Sequence, residues 1–402
     1  MDVNQPLSLL AGLTPAQFMH RHWQKKPLVV RQAIAGLKPL LSRAELFKLA
    51  ASEGVESRLI VQNKDNWSLK HGPFAGRALP ALSQAAWTLL LQGVDLHDAR
   101  AHQLLQQFRF VPDARLDDLM ISFATTGGGV GPHFDSYDVF LLQVSGRRRW
   151  QISRQKDLSL QSDVPLKILQ NFAPEEEFVL EAGDMLYLPP RYAHDGVAEA
   201  CEVNGKPQDC MTYSIGFRAP ARRELAAELL HRLAEFHEDD EAETAQGESG
   251  SVHPPKAPDL YRDPDQAATP NPGALPASLA AFAEKSVHDA LKDPLALACA
   301  LGEYMTEPKP SVWFDDAAQQ WDFDEGGSDL FLAPQTRMMY DEHHIFINGE
   351  SHRAKGADAR LMQCLADQRC LTARQLGKAS EAAIGLLAEW HDAGWLRSVP
   401  AK

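Results

Sequence analysis

Cysteine is scarce. The five cysteines, Cys201, Cys210, Cys299, Cys364 and Cys370, are odd in number and never spaced as Cys-x-x-Cys. That excludes a disulfide scaffold and a zinc finger and fits reduced thiols. Long apolar runs are lacking too: none approaches the roughly 18 residues a membrane span needs, so no membrane partner is expected. The opening Met-Asp-Val-Asn-Gln-Pro has no basic flank before an apolar core, and a cytoplasmic location is the expectation. Positive charge is in deficit, 40 Lys and Arg against 54 Asp and Glu, giving a net charge of −14. Such a chain is a poor binder of DNA or bulk RNA, and a basic protein suits it better as a partner. No internal repeat is visible. What remains is a 402-residue globular composition, long enough for about two or three domains with a sizeable core.

The chemistry concentrates in Gly127-Gly-Gly-Val-Gly-Pro-His133-Phe-Asp135. On an extended backbone, His-x-Asp sets an imidazole and a carboxylate on one side. A second histidine, His194, follows the Gly183-Asp turn and the short apolar run Met185-Leu-Tyr-Leu-Pro189. Two histidines and one carboxylate make the facial triad of non-haem Fe(II) oxygenases, which leaves adjacent positions open for a 2-oxoacid and dioxygen. A closed tetrahedral zinc site would leave none. Arg148, in Gly146-Arg-Arg-Arg-Trp150, faces away from Arg147 and Arg149 on a strand and can clamp the far carboxylate of such a cosubstrate. Solvation of all three arginines is the plain alternative. Thr212 and Ser214 can add a hydroxyl there, or simply pack.

Other matches are weaker. His237-Glu-Asp239 repeats the His-x-Asp spacing but sits where a helix runs into acid. His343-His344 precedes a strand and reads as surface or packing. The glycine run lacks the Gly-Lys-Ser/Thr ending of a phosphate loop and is expected to be a mobile loop over the metal mouth.

Along the chain, Thr14-Pro15-Ala-Gln17 is a capping box opening a helix to about Trp23. Residues 27–31 form a strand, 37–51 a second helix, 57–75 strands and turns, and 79–108 a helical tract. From Asp117 to Phe217 short β-branched and aromatic runs, at 119–123, 139–144, 149–152, 177–180, 185–188 and 212–217, predict an antiparallel barrel or sandwich. A helix with Leu225, Leu229, Leu233 and Phe236 on one stripe ends at Glu238-Asp-Asp-Glu241. The tract 238–276, rich in Pro, Gly, Ser and acid, is a linker or loose loop. Helices return at 277–291 and 294–303. A hairpin at Asn348-Gly349, helices at 361–365 and 380–393, a C-cap at Gly394 and a closing strand at Trp395-Leu396 read as winged-helix-like.

Phe18…His22-Trp23-Gln-Lys-Lys-Pro27-Leu-Val, Pro132-His133-x-Asp135-x-Tyr137-Asp138-Val-Phe, Gly146-Arg-Arg-Arg-Trp150, Gly183-Asp-x-Leu-Tyr-x-Pro189 and His194 together resemble the JmjC-type ribosomal oxygenases. More closely, over nearly the whole chain, they resemble the bacterial ribosomal protein arginine hydroxylases (YcfD-like). The resemblance implies an α+β chain: a double-stranded β-helix (cupin) core in 1–218, a helical homodimerisation region in 219–308, and a C-terminal winged-helix domain in 309–402. It implies Fe(II), 2-oxoglutarate and O2, and hydroxylation of C3 of an arginine in a large-subunit ribosomal protein near the peptidyl transferase centre.

Carried onto this sequence, the iron ligands are His133, Asp135 and His194, the 2-oxoglutarate-binding cation is Arg148, and the arginine pocket is Asp118, Met120 and Tyr137. An acid and an aromatic face suit a guanidinium, although Asp118 beside Asp117 could equally be a surface carboxylate. The segment from Ala198 to Asp209 and the acidic linker look long for the family. Against the general cupin pattern, Arg191 replaces a glycine and Ala198 an asparagine. Histidine is the alternative target residue. A ribosome-binding cupin without turnover, and a small-molecule dioxygenase or isomerase without 2-oxoglutarate, are the alternative classes; an intact triad with Arg148 speaks against the first. In so acidic a chain, a winged-helix tail suits protein contact or dimer support rather than DNA.

Overall fold

Helix starts are dictated locally. Thr14 Oγ1 accepts from Gln17 N and Gln17 Oε1 accepts from Thr14 N, both at 3.1 Å, which closes the capping box of α1 (Pro15–Arg21). Ser42 and Glu45 do the same for α2 (Arg43–Ala50), so that helix begins later than the periodicity from 37 predicts. The computed structural model describes residues 2–64, 66–244, 260–262, 275–315, 321 and 327–400. Contacts divide the chain into two units, Met1–Ala219 and Pro220–Lys402.

The first unit contains β1 (Leu28–Val30), β2 (Ser57–Asn63), β3 (Asn66–His71), β4 (Trp87–Leu91), α3 (Ala99–Gln106), β5 (Leu116–Ala124), β6 (Val139–Ser145), β7 (Arg147–Ser153), β8 (Glu176–Leu180), β9 (Met185–Leu188), β10 (Ala193–Glu199), a small hairpin of β11 (Glu202–Val203) and β12 (Lys206–Pro207), and β13 (Cys210–Phe217). An eight-stranded antiparallel sheet runs β1-β9-β6-β13-β5-β4-β2-β3, and a three-stranded sheet runs β10-β7-β8.

Period-two alternation decides how the sheets pack. Leu119, Ile121, Phe123, Phe140, Leu142, Tyr213, Ile215 and Phe217 leave the large sheet on one face and bury Phe18, Trp23 and Leu46 beneath them. Val139 and Leu141 point the other way and meet Trp150, Ile152 and Leu180 of the small sheet. Two antiparallel sheets closed face to face form the double-stranded β-helix, and its interior lies between them.

One expectation fails. The helical tract over 79–108 is interrupted by β4, which pairs with both β2 and β5. Trp87-Thr-Leu-Leu-Leu91 is buried at every position, and a short run buried on both faces does not separate helix from strand by periodicity. Helix remains only in α3 and a single 3-10 turn over Val94–Leu96.

In the second unit, α4 (Arg222–Thr244) continues through the acidic residues where its end was expected, and α5 (Ala277–Ala290) and α6 (Pro294–Thr306) follow. The rest of the 238–276 linker lies outside the described residues, 260–262 and 275–276 excepted. Then come β14 (Ser328–Leu332), β15 (Met338–Tyr340), β16 (His344–Ile347), β17 (Glu350–Arg353), α7 (Gly356–Gln368), β18 (Cys370–Leu371), α8 (Ala373–Leu376), α9 (Glu381–Asp392) and β19 (Leu396–Pro400). The β16–β17 turn, Asn348-Gly349, has positive φ at both residues, as a type I′ hairpin demands. Gly302 of α6 lies on Phe346, where an added Cβ would come within 2.4 Å of the ring, so this helix packs directly on the hairpin. Among the described residues no helix is long and apolar enough to cross a membrane.

Candidate active site and metal centre

His133 and Asp135 sit just before β6, outside any named strand, and His194 lies on β10. Backbone, not strand alternation alone, joins them. His133 N donates to His194 O at 2.9 Å, His194 N donates to His133 O at 2.8 Å, and Arg191 N donates to Asp135 O at 2.7 Å. Arg191 reaches this position with φ of 63°, a left-handed conformation that suits glycine better. Its guanidinium lies 5.8 Å from the centroid of the Phe134 ring, a cation–π pair across the same two loops.

The three side chains converge: their candidate ligand atoms all lie within 4.8 Å of one another, with His194 Nε2 3.7 Å from Asp135 Oδ2. Adjacent ligands of an octahedral ion, each at about 2.1 Å, stand about 3 Å apart, so modest closure around an ion suffices. The ring nitrogens are already assigned. His133 Nδ1 faces Gly131 O and His194 Nδ1 faces Tyr192 O, both at 2.9 Å. A carbonyl only accepts, so each Nδ1 carries the proton and each Nε2 keeps its lone pair for a metal. Burial, with the neighbouring His133, pushes His194 down to about 4, which holds it neutral. Among the described residues this is the one cluster of His, Cys, Asp and Glu with ligand geometry.

Arg148 is buried on β7, while Arg147 and Arg149 beside it are partly exposed and pair with Glu181 and Glu199. Arg148 Nη2 donates to Ser122 Oγ of β5 at 3.2 Å, bridging the two sheets, and its Nε has no hydrogen-bond partner. A buried guanidinium with unmet donors is a strong site for a carboxylate. Ser214, buried on β13 of the large sheet, pairs with Met120 of β5, and Thr212, two residues before it on the same face, pairs with Ser122. The Thr212 hydroxyl is committed to Gln143 Oε1 at 2.8 Å.

Asp118 is buried, not a surface carboxylate. Its Oδ2 accepts from Gln92 Nε2 at 2.7 Å and Gly93 N at 2.8 Å. A Cβ placed on Gly216 would lie 3.5 Å from Asp118 Oδ1 and 4.0 Å from Tyr137 Cε2, so acid and ring flank one small space. The Tyr137 ring is partly exposed, but burial of its hydroxyl and the carboxylates of Asp135 and Asp118 push it well above the usual phenol range. It therefore stays protonated at any working pH.

The glycine run is not loose. Gly127 N donates to Ala198 O, Ala198 N to Gly128 O, and Thr88 Oγ1 to Gly129 O, which stitches it to β10 and β4. Gly131 passes against Trp67 and Ile168, where any Cβ would come within 3.1 Å of both. Ser122, Gln92 and Arg58 carry no sequence motif that marks them as part of the site. Alternation from Met120 along β5 would have reached Ser122; Gln92 falls in the expected helical tract, and Arg58 of β2 gains its place only from the pairing of β2 with β4.

Residues 103–225 match the JmjC domain family and 289–397 the ROXA-like winged helix. The Escherichia coli ribosomal protein uL16 3-hydroxylase is 32% identical over 90% of this chain and 91% of its own length. A probable ribosomal oxygenase of Haemophilus influenzae is 36% identical over 52% of this chain and 50% of its own. The structure of Escherichia coli YcfD superposes with a TM-score of 0.79 at 28% identity, covering 96% of this chain and 98% of that one. A structure of the same ribosomal oxygenase with cobalt and 2-oxoglutarate gives 0.76 at 29%, with the same coverage. Sequence, sheet topology and the convergent triad agree, and the chain belongs to the JmjC-type ribosomal oxygenases.

Proposed function

We propose that this protein is an Fe(II)- and 2-oxoglutarate-dependent oxygenase that hydroxylates C3 of an arginine in a large-subunit ribosomal protein. The observation that carries it is a pair of histidines with Nδ1 already committed, gathered with Asp135 in an interior that also holds the under-satisfied Arg148. The name of the Escherichia coli relative, a ribosomal protein uL16 3-hydroxylase, supports a ribosomal protein target and the 3-position; arginine rests on the sequence resemblance.

His133, Asp135 and His194 would hold the iron. An iron there, with 2-oxoglutarate and dioxygen, would supply the oxidation that converts a substrate C–H into C–OH, one oxygen atom going to the substrate and the other to the succinate formed with carbon dioxide from 2-oxoglutarate. Arg148 holds the far carboxylate of 2-oxoglutarate by a buried charge-assisted pair, and Ser214 offers a hydroxyl from the facing sheet. Asp118 accepts from the substrate guanidinium, Tyr137 lies along it and Met120 packs its methylenes. The closed sheets keep water from the reacting carbon.

The net charge of −14 draws the chain toward a basic ribosomal protein in the cytoplasm. The division of labour we propose is catalysis in 1–218, association of two copies through 219–308, and a winged-helix tail in 309–402 that contacts protein, not DNA. Supporting association, α5 has no buried residue in the single chain and leaves Val287 exposed, with Leu291 exposed just beyond its end.

The test is mass spectrometry of ribosomal proteins from a deletion strain after incubation with purified enzyme, Fe(II) and 2-oxoglutarate, beside His133→Ala. A gain of one oxygen on one arginine, absent in the variant, is expected. The same gain on histidine would replace the target residue; succinate release without any gain would discard the ribosomal target; neither signal would sink the oxygenase.

A further inference from the structure

Arg58 on β2 and Gln92 just beyond β4 form a two-step relay to the pocket carboxylate. Arg58 Nη2 donates to Gln92 Oε1 at 3.1 Å, and Gln92 Nε2 donates to Asp118 Oδ2 at 2.7 Å. A guanidinium has donors and no acceptor, so it draws the amide oxygen toward itself and turns the amide nitrogen to the carboxylate. The Gly93 N–H adds a second donor to the same oxygen at 2.8 Å. Both donors converge on Oδ2, which fixes the rotation of the carboxylate and sets Oδ1 toward Gly216, on the side where the Tyr137 ring lies. Arg58 Nη2 is also 3.8 Å from Met120 Sδ. One cation thus orders both the acid and the thioether of the pocket.

We infer that Arg58 and Gln92 are the positioning residues that set side-chain specificity, aiming Asp118 Oδ1 at a planar guanidinium. The inference rests on the arginine-oxygenase reading proposed above. Neither residue touches the reacting carbon; both act through Asp118. The polarity of the amide matters, not only its volume. Gln92→Met keeps the bulk and deletes the donor, while Gln92→Glu sets a second carboxylate against the first, a like-charge pair in a largely enclosed site.

The test is steady-state kinetics of the full-length holoenzyme with recombinant uL16 as the varied substrate, then with 2-oxoglutarate varied. Gln92→Met is expected to raise the uL16 KM about ten-fold, the scale of one lost hydrogen bond to a charged group. Gln92→Glu should raise it further. Arg58→Lys, which retains a donor for Gln92 Oε1, should recover most of what Arg58→Met loses. The KM for 2-oxoglutarate should not follow, which separates aiming of Asp118 from general loosening of the sheet. A uL16 KM within about two-fold of wild type in Gln92→Met, or a parallel rise in both KM values, overturns the relay. If the wild-type enzyme fails to turn over 2-oxoglutarate in response to uL16, the arginine reading falls, and the relay falls with it; only that result appears in the wild type.

Discussion

His133 and His194 are backbone partners: the N–H of each donates to the carbonyl of the other, in an isolated antiparallel bridge. The triad is therefore held by main chain as well as by packing, and removing one imidazole leaves the rest in place. His194→Ala is expected to fold and to weaken cobalt(II) binding at least about 100-fold, more than the loss of an outer-shell partner. An absorbance titration with cobalt checks it, and an unchanged affinity would remove His194 from the ligand set.

Arg148→Met should separate binding from stability. The buried guanidinium donates to Ser122 and has an unmet Nε, so its replacement by an apolar chain does not lower the melting temperature of the cofactor-free protein. Affinity for 2-oxoglutarate should fall at least about thirty-fold, as for loss of a buried charge pair of about 2–5 kcal/mol. Calorimetry of 2-oxoglutarate binding and a thermal melt together decide; equal affinity would return Arg148 to a structural role.

Gly196 lies opposite Trp150 on the strand that bears His194, and an added Cβ would come within 2.5 Å of the indole. Gly196→Ala should lose about 1–3 kcal/mol by overpacking, read by urea denaturation. Trp150→Leu in the same chain should restore part of that loss; no recovery would place the strain elsewhere.

Asp184 gives the pH dependence. Burial works to raise its pKa, but Gln32 N, Arg31 Nη1 and Glu181 N all donate to it and hold it below the ordinary 3.8. A folded value below the unfolded one means that the carboxylate stabilises the fold above the ordinary value. That contribution disappears as pH falls through the folded value. Asp184→Asn should cost about 1–3 kcal/mol near neutral pH, with the gap to wild type closing in acid below 3.8. Urea denaturation at both pH values checks it; a gap independent of pH would assign the loss to geometry.

Short-range signals were legible in the sequence because their causes are local. The capping box at Thr14, the Asn348-Gly349 hairpin and the left-handed Gly394, one residue past the Ala393 cap of α9, each depend on a few adjacent residues. Alternation likewise placed Arg148 opposite Arg147 and Arg149. The β4 strand was not legible, since Trp87 to Leu91 are buried on both faces and show no alternation, and only pairing with β2 and β5 makes them a strand.

The sequence by itself determined the chemistry on offer: two imidazoles, a carboxylate and an arginine that alternation turns to the buried face, with His194 and Arg148 on strands and His133 and Asp135 on the approach to one. Local turns commit each Nδ1 to a carbonyl two residues upstream, Gly131 O for His133 and Tyr192 O for His194, and tertiary structure alone brought the two free Nε2 atoms together with Asp135. It alone placed Asp118 inside, with Gln92 and Arg58 behind it, because that relay spans β2, β4 and β5 and exists only once the sheet has formed. Residue types are a property of the chain; which hydrogen bonds they make is set by distances that folding creates.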